Sequence, residues 1–425
     1  MLLMVSELNP LFLFKITSPI IYGFLLLSFY TFLRRTLGWS ERRSLLCTII
    51  CALQVPTLRL SWDLLRNELG LIMFFLYMAV VTGCRSKLKW LLAGLLALLT
   101  TLSHQLVSVL MFIWSFCYLI NANNESREYK VKIGICLSPS GAVFSYQLAT
   151  YLGLLPPPMS IKINRQIIKL QPYKLPYNSP FIDLFLQANF LEASYFDLTI
   201  TFFKLLLVCF LPLCPLILIG LKSNKILNPL TIWCSIASFS VLICPRAYPF
   251  FSFFRWLIFL VFTASIYATN GLIHVLEKVR CRRFVLIVTL IIYLLIGIGY
   301  ASGTIYRVKD IDVNKFIPWS LLESTIGINQ IDDCIACLQW LNEHANSNSV
   351  LITEQRFYYW ALIYLNDEIA IAWYPHGYPL NHINITTVTT DFSEIYLIWY
   401  SRCHIYGFKK VYTYQDIAIY KMAIK

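Results

Sequence analysis

Long apolar runs recur along most of this sequence. A helix needs roughly 20 apolar residues to cross the hydrocarbon of a bilayer, which is about 30 Å thick. Hydrophobic residues make up 58% of the chain and charged residues 13%, roughly half the charged fraction of a typical soluble domain. We therefore predict a mainly α fold, a polytopic transmembrane helix bundle of about ten helices. The candidate spans are residues 14–33, 44–58, 63–83, 88–103, 104–121, 132–154, 199–220, 228–244, 249–269 and 284–304.

The basic residues indicate how these spans are oriented. Cytoplasmic loops of membrane proteins are enriched in Lys and Arg. With the N-terminus outside, every short inside loop is basic, whereas the short outside loops hold only Lys15, Arg59 and Arg246. The inside residues are Arg34, Arg35, Arg42, Arg43, Arg85, Lys87, Lys89, Arg127, Lys130, Lys132, Lys222, Lys225, Lys278, Arg280, Arg282 and Arg283. We expect a multi-pass protein of the cell membrane, and because its basic residues are scattered between apolar runs, nucleic acid is not an expected partner.

Two domains follow from this layout. Residues 1–304 are predicted to form the transmembrane helical domain, with an outer loop at 155–198. That loop holds either an interfacial helix, with Phe181, Leu184 and Phe185 on one face, or a plain connection. From residue 305 acidic residues outnumber basic ones, so 305–425 is predicted to be a small extracytoplasmic α/β domain.

The local patterns of the C-terminal domain predict its elements. "QIDDCIACLQWLNEHA" and "RFYYWALIYLN" have helical periodicity. "SVLITE", "EIAIAW", "EIYLIWY", "KKVYTY" and "DIAIYKM" are typical of strands, and the last two form a predicted hairpin that turns at Gln415. Glu354 and Arg356 lie where the first of these strands meets its helix, as a surface pair or as a contact to a cavity on the membrane side.

Several short motifs carry little functional weight. The CxxC of Cys334 and Cys337 has no second pair and lies in a predicted amphipathic helix, so we expect neither a zinc nor a redox role. Asn384 opens a glycosylation sequon on the predicted outer side, and the sequon at Asn124 faces inside. We predict no metal site and no cofactor.

The stretch "PTLRLSWDLLRNELGL" places charges at the mouth of a predicted span. On one helix, Arg59, Asp63, Arg66 or Asn67, and Gly70 share a face, because they are three or four residues apart. Charges at membrane depth usually face a cavity or a partner. One interpretation is a pocket for an anionic headgroup with Arg66 as the phosphate ligand. The other is a structural Asp63–Arg66 pair.

Two further outer turns carry polar side chains. "LSHQL" places His104 and Gln105 at one turn, where the histidine is either a structural group or a functional one. "PRAYPFFSFFRW" places Arg246 at another, either as a phosphate ligand or as an interfacial residue. Arg255 lies deeper and needs an acidic partner, for which Asp63 or Glu68 is a candidate. Arg66, His104 and Arg246 on one membrane level suit a lipid-linked phosphate.

The chain resembles the type C membrane glycosyltransferases, and in particular archaeal members of that superfamily. The likeness is carried by "LNPLFLFKITSPIIYGFLLLSFYTFLRR", "LRLSWDLLRNELGL", "LSHQL", "RAYPFFSFFRW" and "CLQWLNEHANSNSVLITEQRFYYWALIYL". The resemblance implies a polyprenyl-phosphate sugar as donor, held through its phosphate by Arg66, His104 and Arg246. Asn67, Gln105 and Arg255 would support these ligands.

The resemblance also implies a catalytic acid on the first outer loop. Here Glu7 is the only acid before the first span, and the chain looks shortened at its N-terminus. Three explanations stay open. A separate polypeptide supplies the base, or another acid of this chain replaces it, namely Asp63 or, less well, Glu68. In the third, the protein is inactive.

Two functions of different classes stay open. The first is a membrane glycosyltransferase that moves a sugar from a polyprenyl-phosphate donor to an acceptor at the outer face. The second is a non-catalytic membrane partner or assembly subunit. A transporter is a weaker third, because neither broken helices near the midplane nor inverted repeats are evident.

Overall fold

The structure is a computed structural model in which two compact units are distinguished. They comprise Met1–Pro156 with Thr199–Leu322, the membrane unit, and Pro157–Leu198 with Glu323–Lys425, the α/β unit. The structure describes residues 10–83, 87–121, 126–151, 154–155, 166–170, 195–210, 213–221, 224, 226–243, 253–302, 326, 330–374, 380, 383 and 385–422.

The described part of the membrane unit is helical throughout. Its helices are α1 (Pro10–Arg35), α2 (Glu41–Ala52), α3 (Val55–Asp63), α4 (Leu65–Gly83), α5 (Lys87–Ser103), α6 (Gln105–Asn121), α7 (Arg127–Tyr151), α8 (Tyr195–Phe210), α9 (Cys214–Gly220), α10 (Asn228–Ile243), α11 (Phe253–Lys278) and α12 (Arg282–Ala301).

Four of the described helices are long and apolar enough to cross a membrane, and up to six spans result if each bent helix pair counts as one. The four spans are Lys15–Arg35, Leu65–Gly83, Arg255–Lys278 and Arg282–Ala301. The expected ten spans are therefore not confirmed. A bend of 73° between α2 and α3 divides the predicted span 44–58. Pro56, in the first turn of α3, favours a new helix start because it lacks an N–H to donate to a preceding turn.

Aromatic side chains fill the interior of the membrane unit. Phe29 and Phe32 of α1 pack on Phe75 of α4, and Phe262 of α11 closes the cluster, with ring centroids 5.0–5.5 Å apart between Phe75 and the other three. All four rings are buried. Helix α4 packs against α1 and α5, and α11 packs against α9 and α10.

Two glycines allow α9 and α11 to approach at backbone distance. A Cβ on Gly220 would overlap the carbonyl oxygen of Tyr267, and a Cβ on Gly271 would overlap that of Leu216. Small residues at such crossings are typical of helix pairs in membranes, where close packing replaces the hydrophobic effect as the source of association.

The α/β unit contains one six-stranded sheet. Its strands are β1 (Ile167–Lys169), β2 (Ser349–Glu354), β3 (Ala370–Tyr374), β4 (Glu394–Tyr400), β5 (Phe408–Tyr414) and β6 (Ile417–Met422), and its helices are α13 (Ile331–His344), α14 (Gln355–Tyr364) and α15 (Thr386–Asp391). The strand order is β1-β3-β2-β4-β6-β5. The first four strands in this order are parallel, and β6 and β5 are antiparallel additions.

The predicted elements of the α/β unit are confirmed. All five strands and both helices appear where the patterns placed them, and the hairpin turns at Gln415, whose φ of 44° is the left-handed conformation of a tight turn. Strand β1 was not predicted. It belongs to the segment 155–198 that was assigned to an outer loop, whereas the proposed interfacial helix there lies outside the described residues.

The core of the α/β unit explains why the strands were recognisable. Every residue of β2 is buried, and Val350, Ile352, Leu397 and Ala418 form part of one apolar cluster. Cys334 and Cys337 of the CxxC motif are fully buried on α13. Burial raises the pKa of the Cys337 thiol to about 12, so this thiol is poorly suited to nucleophilic chemistry.

Candidate functional site

Three helix N-termini meet at one junction in the membrane unit, around His104. Helix α4 begins at Leu65, one residue after the break at Leu64, and α6 begins at Gln105. The N-terminal turn of α11 reaches the same place through Arg255. A helix N-terminus carries the positive end of the helix dipole, but the C-termini of α3 at Asp63 and of α5 at Ser103 bring the negative ends of two dipoles to the same place. The positive charge of the junction therefore comes from the side chains of Arg66 and Arg255.

Arg66 and Gly70 hold α4 against this junction. The Nε of Arg66 donates a hydrogen bond to the carbonyl oxygen of Ser103, at 3.2 Å. One turn further along α4, a Cβ on Gly70 would lie 3.3 Å from the Cβ of His104 and 3.2 Å from Cγ2 of Val107. The two residues are four apart and share a face of α4. Only a small residue at position 70 gives α6 this close approach.

The imidazole of His104 lies between two donors. Its Nδ1 accepts the backbone N–H of Leu106 at 3.2 Å, and its Nε2 lies 3.3 Å from Nη1 of Arg255. A guanidinium only donates, and a neutral imidazole has only one accepting nitrogen. One of the two donors therefore faces an N–H of the ring in every protonation state.

The two arginines at this junction would attract an anion. Arg66 and Arg255 both interact electrostatically with His104, and His104 retains only 9% of its exposure. An arginine fork matches the geometry of phosphate oxygens. Helix N-termini bind phosphate through their free N–H groups. The junction of α4, α6 and α11 is thus a candidate phosphate site.

Glu68 does not belong to the face that meets His104. It lies two residues from both Arg66 and Gly70, which is about 200° around an α-helix. The residue is fully buried, and neither carboxylate oxygen has a hydrogen-bond partner among the described residues. The expected hydrogen-bonded pair of Glu68 and Arg255 is therefore not observed, and one neighbour of Arg255 at this junction is the Nε2 of His104, at 3.3 Å.

The other predicted site residues are placed as follows. Asn67 is buried, and its Oδ1 has no hydrogen-bond partner among the described residues. Gln105 is exposed at the start of α6. Arg59 is buried on α3, so the expected continuous helix face from Arg59 to Gly70 is wrong, because the helix breaks at Leu64. Asp63 ends α3, but its side chain lies outside the described part of the structure, as does the whole of Arg246.

Sequence reasoning missed two features of the junction. The carbonyl oxygen of Ser103 anchors Arg66, and Arg255 contacts His104 directly where only a supporting role was assigned. A glycine four residues after Arg66 was the available signal for a close helix contact. Nothing in the sequence pairs Arg255 with His104, which is 151 residues away.

The surroundings of the junction contain no evident metal site. Within the described residues, no group of three or more His, Cys, Asp or Glu side chains is placed to hold a metal ion.

A scan against models of known protein families gives no match. The sequence also matches no curated protein.

Proposed function

We propose that this protein binds a polyprenyl-phosphate sugar at the junction of α4, α6 and α11 and transfers the sugar to an acceptor. The observation that carries the proposal is the position of His104 between Leu106 N–H and the guanidinium of Arg255, 3.3 Å from Nε2. We further propose that the N-terminus and the α/β unit lie outside the cell membrane, as the distribution of Lys and Arg favours.

A lipid-linked phosphate fits the place of the junction in the chain. Arg66 and Arg255 stand at the ends of two helices that are long and apolar enough to span a membrane. The polyprenyl tail of such a donor would lie against these helices while its phosphate meets the two arginines. Arg246, which also belongs to the proposed ligand set, precedes α11 in the sequence.

The proposed transfer proceeds with inversion. The acceptor oxygen forms a bond to the anomeric carbon as the bond from that carbon to the phosphate oxygen breaks. The polyprenyl phosphate leaves with the electron pair, and Arg66 and Arg255 stabilise its charge. The proton of the acceptor hydroxyl passes to a carboxylate base, for which Asp63 is the candidate.

One observation favours the alternative of a non-catalytic membrane partner. Glu68, the other candidate base, lies on the side of α4 that is turned away from His104. A chain that holds the donor without Asp63 in reach would present it to another protein and would not transfer the sugar itself.

A binding experiment tests the phosphate site. The full-length protein in lipid nanodiscs would be titrated with polyprenyl phosphate, inorganic phosphate and phosphatidylglycerol, with binding read by native mass spectrometry. We expect Arg66→Ala to weaken polyprenyl-phosphate binding by about tenfold, since it removes a charge-assisted contact. The matched control is Arg282→Ala, because Arg282 is also exposed and donates to a backbone carbonyl, that of Glu277.

A transfer experiment separates the two functions. Membranes containing the wild type, Asp63→Asn or Arg255→Lys would be supplied with a radiolabelled polyprenyl-phosphate sugar. Label in an acceptor with the wild type but with neither variant supports the enzyme. Donor binding without transfer by the wild type supports the partner role. Equal binding by the wild type and Arg66→Ala would overturn the site itself.

A further inference from the structure

The turn between α1 and α2 in the membrane unit is rich in arginine. Arg34 and Arg35 end α1, and Arg42 and Arg43 lie in the first turn of α2, which begins at Glu41. Helix α1 contains a candidate membrane span, and α2 passes the same test together with α3 as a bent pair. The four arginines therefore lie at the end of two apolar stretches, at the level expected for the headgroups of a bilayer.

Trp39 holds this turn in place. Arg34 donates a hydrogen bond from Nη1 to the carbonyl oxygen of Trp39, at 2.6 Å. The guanidinium of Arg43 stands over the Trp39 ring, 4.0 Å from its centroid, and its Nη2 donates to Oδ1 of Asn270 on α11. Gly38 permits the turn, because its φ of 66° is a conformation that other residues disfavour. Arg34 and Arg43 are thus tied to the protein and position the turn.

The other two arginines of the turn remain available to a ligand. Arg35 and Arg42 are exposed, and within the described ranges neither guanidinium has a hydrogen-bond or ion-pair partner. The turn carries four arginines and one acid, Glu41. Glu277 of α11 interacts electrostatically with Arg43, which is already tied to the protein. Since the turn keeps a net positive charge, it attracts an anion.

An exposed apolar stripe on α1 leads to Arg35. Its members are spaced three or four residues apart, which places them on one face of the helix, and they are Ile16, Ile20, Phe24 and Leu27. Arg35 follows Phe24 by about three turns and lies on the same face. On a helix that spans a membrane, such side chains contact lipid chains.

Helix α2 repeats this arrangement in the opposite direction. Arg42, Leu45 and Ile49 are spaced three and four residues apart and are all exposed. The stripe on α1 runs towards the turn and the stripe on α2 runs away from it, so each stripe has its arginine at the turn. A charged end with apolar stripes leading away from it matches an anionic lipid, whereas a soluble phosphate would use the charged end alone.

We propose that the turn between α1 and α2 binds an anionic phospholipid, whose phosphate is held by Arg35 and Arg42 and whose chains lie along the stripes of α1 and α2. Basic clusters at the ends of membrane helices are suited to such headgroups. The proposal does not depend on the candidate phosphate site around His104, because the two sites share no residue.

Native mass spectrometry of the full-length protein, released from detergent micelles with added lipid, tests this site. The probes are phosphatidylglycerol, zwitterionic phosphatidylcholine with the same chains, and soluble glycerol phosphate. We expect phosphatidylglycerol to bind more tightly than phosphatidylcholine, and glycerol phosphate not to displace it. Arg42→Gln should weaken phosphatidylglycerol binding about tenfold, since a charge-assisted contact is lost, and Arg35→Gln should act in the same direction.

Arg127→Gln is the matched control for Arg42→Gln. Arg127 is also exposed in the first turn of a helix, α7, and also stands beside an exposed glutamate, Glu128. The control removes the same charge elsewhere in the membrane unit and should leave phosphatidylglycerol binding unchanged. The proposal is overturned if phosphatidylglycerol binds no better than phosphatidylcholine, if Arg42→Gln and Arg127→Gln weaken binding equally, or if glycerol phosphate displaces the lipid.

Discussion

Each of the two units buries a glutamate, and the two carboxylates are treated differently. Glu354 of the α/β unit is 1% exposed and held in the fork of Arg356. Glu68 of the membrane unit is 0% exposed, and neither of its oxygens has a hydrogen-bond partner among the described residues. The α/β unit therefore pairs its buried carboxylate with an arginine of the same unit, whereas the membrane unit provides Glu68 with no hydrogen-bond partner among the described residues.

The difference shows which unit has a buried carboxylate that a proton, a cation or a ligand would stabilise. An unpaired carboxylate in an apolar interior is costly and is relieved by a proton, a cation or a polar ligand. The same unit also concentrates Arg66, Arg255 and His104 at a separate junction. The membrane unit thus holds one buried carboxylate that has no hydrogen-bond partner among the described residues and, apart from it, a group of cationic side chains.

The largest expected effect comes from removing one side of the satisfied pair. Arg356→Met leaves Glu354 buried without its guanidinium and should destabilise the α/β unit by about 3–5 kcal/mol. Hydrogen exchange of the β2 amides in the full-length protein measures this loss. Arg402→Met is the matched control, because the Arg402–Asp416 pair is exposed, and it should leave exchange unchanged. Equal effects of the two variants would contradict the comparison.

A second variant asks whether close backbone packing, rather than charge, holds the membrane unit together. Gly271→Ala places a Cβ against the carbonyl oxygen of Leu216 and should cost about 1–3 kcal/mol, because α9 must move away from α11. Thermal unfolding in detergent reports the loss. Gly141→Ala serves as the control, since a Cβ there meets nothing within 4 Å. A similar melting temperature for both variants would argue against the contact.

A third prediction concerns the pH dependence of stability that arises from Glu394, a paired carboxylate of the α/β unit. Burial opposes ionisation of Glu394, but hydrogen bonds from Lys421 and Tyr396 bring the pKa of Glu394 below its ordinary value. Its contribution to stability is therefore complete above the ordinary pKa of about 4.3 and is lost as the pH falls through the lowered folded value.

The loss should be smaller than about 1 kcal/mol, because the Lys421 side chain is 37% exposed and the pair is screened by solvent. This loss of stability is measured by the protection factors of the β4 and β6 amides between about pH 6 and about pH 3, a range that brackets the ordinary glutamate pKa. Lys421→Met should reduce this acid sensitivity, because the hydrogen bond from Tyr396 remains. An unchanged acid response in that variant would assign the effect to another group.

The smallest expected effect has the opposite sign. Glu68→Gln replaces a buried carboxylate that has no hydrogen-bond partner among the described residues with a neutral amide of the same shape. The melting temperature of the membrane unit should stay the same or rise, because less desolvation is required. A fall of several degrees would show that Glu68 is paired in the folded protein and would remove the contrast with Glu354.

The elements of the α/β unit could be predicted from the sequence because their signals are local. Short runs rich in β-branched and aromatic residues formed β2 and β4, and a short polar turn at Gln415 separated β5 from β6. The number of membrane spans could not be predicted in the same way. An apolar run of sufficient length reads as one span, but the 73° bend between α2 and α3 turns such a run into two short helices.

For the candidate phosphate site, the residues could be predicted from the sequence, but their contacts could not. Arg66 and His104 were named because they lie at outer turns on one predicted membrane level, and Arg255 was assigned a supporting role. The direct contact of Arg255 with His104 was not predicted, because it joins residues 151 positions apart and depends on how α4, α6 and α11 pack. The opposite placement of Glu68 follows from the helix phase once the face toward His104 is known.

The sequence by itself determined the membrane-compatible helices and the strands of the sheet, because hydrophobic periodicity acts over a few residues and water or lipid enforces it everywhere. Only the tertiary structure decided which polar groups meet. Gly70 brings His104 to α4, and the crossing of α11 brings Arg255 to His104. These contacts arise from the fit of whole helix surfaces, which no short stretch of sequence contains.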